Sequence, residues 1–368
     1  FANTIGNYNN FIGQSAGNAL VDGTNSTYIG WYAAYNQTHG DNNVVVGHQA
    51  LYGSSGKGDL SENVAIGYQS AYRAEAGYGI TAVGSRALRN ITPSGSLSTA
   101  IGYFSGFNSS GSYNTFVGAE AGRGATTSAP FSSGEKNVAL GYQALTAFTT
   151  GYQNVMIGPF TGDAITTGQN NTAVGYAALS SEDTGTRNVA IGNEALKDLN
   201  YDGAGYNVAV GHRAGYALTT GTVNTFIGAF AGGATDDGTR NVVLGYAAMD
   251  TGNAGDDNIA IGYGALQDTT ASSNIAIGSY AMIQHTTGAR NIAIGTNAMD
   301  DTDAGSNSLN SSDNIFIGNH AGAGTWTNVL SQYNIGIGTN TLDGGLDGAD
   351  YNVMIGYGAG TAITTAEK

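Results

Sequence analysis

Twenty times between Asn9 and Gly360 the chain spells one unit: Asn, two residues, an aliphatic residue, Gly, two residues, then Ala. Clear copies are Asn63-Val64-Ala65-Ile66-Gly67, Asn137-Val138-Ala139-Leu140-Gly141 and Asn291-Ile292-Ala293-Ile294-Gly295. Ten of the nineteen gaps between motif glycines, from Gly13 to Gly356, are 17 residues, and none is shorter than 16. A fixed period of this size means one structural unit stacked many times. Length alone would suggest two or three domains. The repeat instead predicts a single continuous repeat domain over 1–368, because a solenoid grows in one dimension and each unit touches only its neighbours. The repeat is already running at Asn3-Thr4-Ile5-Gly6, so the chain reads as a segment of a longer fibre protein.

The residue before each motif Gly is Ile, Val or Leu, and two positions earlier stands Val, Ile or Thr in every copy but the first, which has Asn10. Period-two alternation of β-branched residues marks a short strand, and β-branching with so many glycines works against helix. Thr149-Thr150-Gly151, Thr166-Thr167-Gly168 and Thr286-Thr287-Gly288 supply turn chemistry between motifs. Strands that follow one another in the same sense predict an all-β fold, a parallel β-solenoid or β-roll of about 20 short coils with a ~17-residue period. Twenty coils at about 4.8 Å each would give a rod roughly 95 Å long.

A second pattern couples two positions. Where the middle strand residue is Phe or Met, the residue six further on is Gly: Phe11 with Gly17, Phe116 with Gly122, Met156 with Gly162, Phe226 with Gly232, Phe316 with Gly322 and Met354 with Gly360. Where it is Ala, the partner is usually Leu or Met, as in Ala139 with Leu145, Ala173 with Leu179 and Ala276 with Met282, and Gly336 goes with Leu342. Ala100 with Gly106 and Ala209 with Gly215 break the rule. Side chains that fill one buried space would keep its volume constant in this way, so the two positions are expected to touch. The middle residue is then buried, and its apolar neighbours, such as Val64 and Ile66 around Ala65, are expected to be buried as well. A strand apolar on both faces must be covered on both. One thin coil has a single interior, so the second face needs a partner chain, which predicts an obligate homo-oligomer.

Asn opens the motif in seventeen copies, with Ser26, Ile80 and Ser98 in the others, and stacking would align these amides into a ladder or let each bond its own turn. The motif Gly supplies positive φ or close backbone approach. Three residues on, Ala appears sixteen times and otherwise Ser or Thr, which points to tight packing.

Asn-Val-Ala-Ile-Gly followed by a small residue three positions later resembles the head repeat of YadA-type trimeric autotransporter adhesins. Similar motifs with longer spacing occur in tail-fibre proteins of bacteriophages and aquatic bacteria. The resemblance implies a left-handed parallel β-roll that trimerises around a hydrophobic centre. The usual adhesin repeat is shorter, so the extra residues here should form a longer loop or an additional strand per coil. Coiled-coil heptads, a membrane anchor and a self-cleaving chaperone domain are not seen.

The net charge is −15, and the twelve Lys and Arg are scattered without a run, so no nucleic-acid partner is expected. There is no cysteine to form disulfides or thiolate metal sites. No apolar run approaches membrane-spanning length, so direct membrane insertion is not expected. His39, His48, His212, His285 and His320 are dispersed, with no pair at metal-ligand spacing. Asp236-Asp237, Asp256-Asp257 and Asp300-Asp301-Asp303 are the places where Ca²⁺ or a carboxylate-pair chemistry would have to sit, with solvated turns as the default. The expectation is no enzyme, no catalytic or metal residues and no cofactor.

Aromatic residues are the recognition candidates. Trp31, Tyr68, Tyr103, Tyr142, Tyr176, Tyr246, Tyr263 and Tyr357 each follow a motif Gly directly. They either stack on one another up the wall and staple neighbouring chains, or offer a ladder to sugar rings or a host surface protein. The longest coils need loops that leave the regular wall, which draws attention to 124–135, 302–313 and 323–333, the last with Trp326. The reading is a trimeric, extracellular fibre segment at a cell surface or on a virion, a shaft or head for attachment to a host. A tailspike that degrades polysaccharide would need paired carboxylates on adjacent coils, and an ice-binding solenoid would need Thr in register on a flat face.

Overall fold

Every motif folds as a three-residue strand that ends immediately before its glycine. The computed structural model describes residues 6–53, 60–74, 77–92, 96–128, 131–302, 310–326 and 329–363. The strands fall into two compact units, Phe1–Arg187 and Asn188–Lys368, with ten motif strands in each. The first unit runs from strand Asn10–Ile12 to Thr172–Val174, the second from Val189–Ile191 to Val353–Ile355. Within each unit every strand lies parallel to and in register with the next, as in Val138 beside Val155, Ala139 beside Met156 and Leu140 beside Ile157. The protein is therefore an all-β parallel solenoid with one coil per repeat. The 20-residue gap before Gly67 adds a second short pairing, Leu60–Ser61 with Gly77–Tyr78. Among the described residues no helix is long and apolar enough to cross a membrane.

The motif glycine meets both of its expected demands at once. Gly228 has φ +131°, and a Cβ there would lie 2.5 Å from the carbonyl oxygen of Gly245 in the next coil. The glycines stack backbone on backbone, so no side chain fits between them. Gly356, with the same φ of +131°, has nothing within 4 Å of that position because no further motif glycine stacks on it.

Three more positions per coil take the left-handed conformation, including residues that resist it. In the coil of Gly84 these are Arg86 and Leu88, at φ 59° and 46°, and Leu97 follows at 56° on entry to the next motif. Each turns its N–H along the stacking direction. Arg86 N–H donates to the Tyr68 carbonyl (2.8 Å), Leu88 to Ser105 (2.9 Å) and Leu97 to Tyr78 (3.0 Å). Repeated inter-coil hydrogen bonds hold a conformation that costs an isolated L-residue about 1–2 kcal/mol.

The buried Asn side chains form the anticipated ladder. Asn154 Oδ1 accepts the N–H of Asn171 (3.0 Å), while its Nδ2 donates to the Gly168 carbonyl (2.8 Å). Ser26 keeps half of this role, its Oγ accepting the N–H of Asn43 (3.0 Å). The amide thus links adjacent coils through their backbones rather than serving its own turn alone.

Inside every coil but the first and last, the middle strand residue, the small residue three past the glycine and the residue four past it are buried, while Phe11 and Met354 at the two ends are only partly so. The volume rule is physical contact. A Cβ on Gly162 would meet Met156 Sδ at 2.6 Å, on Gly232 the Phe226 ring at 2.5 Å, and on Gly322 the Phe316 ring at 2.7 Å. The two exceptions are filled from above and below. A Cβ on Gly106 would lie 2.7 Å from Leu88 and 3.0 Å from Phe116, and one on Gly215 would lie 2.7 Å from Phe226 and 2.8 Å from Leu196. Volume is balanced across coils as well as within them.

The far end of the core lies seven residues past the glycine and is chemically mixed. Leu20, Ile91, Phe148, Ile165 and Leu218 stand there fully or almost fully buried, and so do Gln37, Thr269 and His285. The polar ones bond their own or the next turn: Gln37 Nε2 to the Leu60 carbonyl (2.8 Å), and His285 to Thr302 Oγ1 (2.7 Å) and the Gly288 carbonyl (2.9 Å).

Candidate functional site

The most extensive surface feature follows from strand alternation. The chain buries the middle strand residue in its own interior and leaves the two neighbours on the outer face, the face for which a partner chain was expected. Ile66 is 37% exposed and Leu244 44%. In register pairing stacks these residues into two adjoining columns on each unit, for example Ile275 on Ile292 and Ile277 on Ile294. The second unit is the more apolar, since only Thr225 interrupts Val and Ile in its first column. Among the described residues the strip stays partly to well exposed along both units.

Beside the glycine corner lie the aromatic candidates. Trp31, Tyr68, Tyr103, Tyr142, Tyr176, Tyr246 and Tyr263 are each about half exposed, from 40% at Tyr68 to 54% at Tyr103, and Tyr357 is more open. Their rings stack up the wall: Trp31 on His48 (centroids 4.9 Å), His48 against Tyr68 (5.4 Å) and Tyr246 on Tyr263 (5.4 Å). Phe160 fits edge-on between Tyr142 (5.3 Å) and Tyr176 (5.9 Å). Phe160 and Phe230 stand two residues past their glycines, a column the sequence reading did not single out.

Trp326 belongs elsewhere. It is fully buried, edge-on to Phe316 at 5.9 Å, so it anchors the core and presents no ring to a partner. The described part of 124–135 folds back on the preceding coil, with Ser132 N–H donating to Asn108 (3.0 Å) and Ser110 N–H to Ser132 (2.7 Å). Residues 129–130, 303–309, with Asp303, and 327–328 lie outside the described residues, as does most of Asn3-Thr4-Ile5-Gly6.

The acidic turns are engaged in local contacts. Arg240 holds Asp257 (2.6 and 2.8 Å) and reaches Asp256 (3.4 Å), which keeps the Asp257 carboxyl below its ordinary range. Asp236 accepts the Thr219 hydroxyl, and Asp301 that of Thr325 (2.6 Å). His39 bonds Asp22 at the edge of an open cleft of about 440 Å³ that also includes Asp41 and Ser61. Burial pushes Asp163, Asp250 and Asp300 up, and these three stand on coils that do not adjoin one another. Among the described residues no three His, Asp or Glu side chains come together as a metal-binding group.

The coils also gather cations that look scattered along the chain. Arg73, Arg86, Arg89 and Arg123 come from three of four successive coils of the first unit onto one ridge, interleaved with Tyr68, Tyr72 and, from the remaining coil, Phe104 and Phe107. Projecting residue numbers onto the 17-residue period would have found them.

No protein-family model matches the chain, and no curated protein matches it either. What is established is the fold, a parallel β-solenoid that carries an uncovered apolar strip and an aromatic corner.

Proposed function

We propose that the chain is a non-enzymatic segment of an extracellular attachment fibre, a left-handed roll that assembles as a homotrimer with the outer strips facing one another. The observation that carries this reading is the strip itself. Covering the exposed third or so of each Ile or Val would stabilise by roughly 0.5–1 kcal/mol, on the order of 10 kcal/mol over one ten-coil unit. That is comparable to the association terms it must offset, about 4–15 kcal/mol. The resemblance of the motif to YadA-type heads supports three copies around the strip. An apolar centre flanked by continuous inter-coil hydrogen bonds resists proteolysis, which suits a shaft exposed to its surroundings.

Catalysis of the tailspike kind finds less support, because the carboxylates that adjacent coils bring into one cleft are engaged locally, Asp22 with His39 and Asp41 with the Thr24 N–H and hydroxyl (2.7 Å each). An ice-binding face finds less too. The Thr column passes into Asp, with Thr166 bonded to Asp183 and Thr251 to Asp268. A protease challenge tests the fibre reading. The wild-type chain should resist digestion at temperatures where the Ile259→Asp/Ile261→Asp variant is cleaved between coils. Equal cleavage of both would refute it.

A further inference from the structure

Every Arg of the second unit that faces solvent with a described partner is paired: Arg213 with Glu194 (2.7 Å), Arg240 with Asp257 (2.6 Å) and Arg290 with Asp313 (2.7 Å). The ridge of the first unit is different. Among the described residues Arg73, Arg86 and Arg89 make no ion pair, and only Arg123 meets a carboxylate, Glu120 at 3.3 Å. Aromatic rings take the place of counter-charges. Arg86 lies between Tyr68 (5.5 Å) and Phe104 (5.2 Å), and Arg89 between Tyr72 (5.0 Å) and Phe107 (5.7 Å). Arg123 also reaches Phe104 (5.9 Å), and Arg73 reaches Phe131 (5.8 Å). Stacking on ring faces leaves the N–H edge of Arg86 open to a bidentate acceptor, while Arg89 also donates to Asn90 Oδ1 (3.3 Å).

Arg89 is also fixed in place. Its Nε donates to Gln69 Oε1 (3.1 Å), and Gln69 is itself buried and bonded to Gln49 (2.9 Å). Burial, then the neighbouring Arg73 and Arg86, depress the Arg89 pKa, and among the described residues the ridge's ion pairs are limited to that of Arg123 with Glu120. In a chain of net charge −15, four arginines with one described ion pair among them make a local positive field that suits an anion. Arg123 further lines a shallow cleft of about 300 Å³ with Asn108, Thr127 and Thr146. The ridge crosses four coils, roughly 15–20 Å at the spacing of stacked strands, which is room for an oligosaccharide.

We propose that this ridge binds an acidic polysaccharide, whose carboxylate or sulfate groups meet Arg73, Arg86, Arg89 and Arg123 and whose sugar rings lie against Tyr68 and Tyr103, the exposed rings at its edge. This rests on the attachment-fibre reading for its biological sense, but the chemistry of the ridge is independent of trimer formation. Three copies would offer three ridges and raise avidity without a new contact.

Calorimetric titration of the whole chain with heparin, polygalacturonate and neutral dextran tests the proposal. The two acidic polymers should bind, with affinity that falls as salt is raised, and dextran should not. Arg86→Gln/Arg89→Gln should weaken binding at least tenfold, equivalent to about 1.4 kcal/mol, and Tyr68→Ala should weaken it less. Arg240→Gln, on a paired arginine of the other unit, should bind as wild type does. Binding that survives Arg86→Gln/Arg89→Gln, that is lost equally in Arg240→Gln, or that is as strong for dextran would overturn it. Sedimentation of the same samples separates the two readings. A trimer that ignores the acidic polymers refutes the ridge alone, and a monomer that binds them refutes only the trimer.

Discussion

Exchanging the two side chains that fill one coil interior gives a sharp test of how the fold is packed. Met156 occupies the space that Leu145 and Leu179 fill in the coils on either side, and Gly162 leaves it free. Met156→Ala alone opens a cavity and should destabilise by about 2–5 kcal/mol. Gly162→Leu alone places a side chain where Met156 Sδ is 2.6 Å and Ile165 Cδ1 3.0 Å from the new Cβ. Over-packing of that order costs about 1–3 kcal/mol, and the left-handed backbone adds about 1–2 kcal/mol. The backbone itself is compatible, since Gly162 has φ 54° while Leu145 and Leu179 have 54° and 55°. The double variant rebuilds the Ala–Leu coil already present at Ala139 with Leu145 and Ala173 with Leu179. It should therefore retain only the backbone part, about 1–2 kcal/mol, and the coupling between the two sites, the cavity and over-packing costs together, should reach about 3–8 kcal/mol. Native-state hydrogen exchange, read at amides of this coil and its neighbours, measures each variant locally. Additive losses in the double variant would refute shared filling of one space.

Other perturbations probe separate parts of the structure. Ile259→Asp/Ile261→Asp places charge on the outer strip, so it should dissociate the assembly while circular dichroism of the coils is unchanged; loss of folded signal would mean that the strip is part of the core. Gly228→Ala and Gly356→Ala share φ +131° but differ in contact, so Gly356→Ala should lower stability by only the backbone amount, about 1–3 kcal/mol, and Gly228→Ala by clearly more in denaturant melts. Asn154→Ala strips partners from the buried Asn171 N–H and Gly168 carbonyl, at about 1–3 kcal/mol each, whereas Asn154→Ser should lose less because the hydroxyl still accepts, as at Ser26. Burial raises the Asp163 pKa, so the folded chain loses stability as pH rises from the unfolded carboxyl pKa through the folded one. Asp163→Asn should then raise the melting temperature at neutral pH and give no gain where the carboxyl is protonated; an equal gain at both would exclude the charge as the cause.

Strict columns were legible in the sequence and mixed ones were not. The strand residues, the motif Asn and Gly, and the pairing of Met156 with Gly162 each keep one physical task in every coil, so the same chemistry recurs at the same offset. Seven residues past the glycine the task is only to close the core. Phe148 does that with volume and His285 with hydrogen bonds, so no residue type repeats. Leu88 and Leu145 in left-handed backbone were invisible for a related reason. Inter-coil hydrogen bonds hold that conformation against local preference, and these bonds belong to the stack rather than to any one segment. Trp326 was misplaced because a long coil has no register to say whether a large ring points in or out. The arginine ridge was missed because Arg73, Arg86, Arg89 and Arg123 are separated along the chain and meet only across coils.

The most direct test of the trimer is sedimentation equilibrium of the chain, with crosslinking in parallel. A particle of three times 37.3 kDa is expected, persisting on dilution and lost when the outer strip carries charge. A stable, folded particle of 37.3 kDa whose Ile and Val columns remain open to water would contradict it.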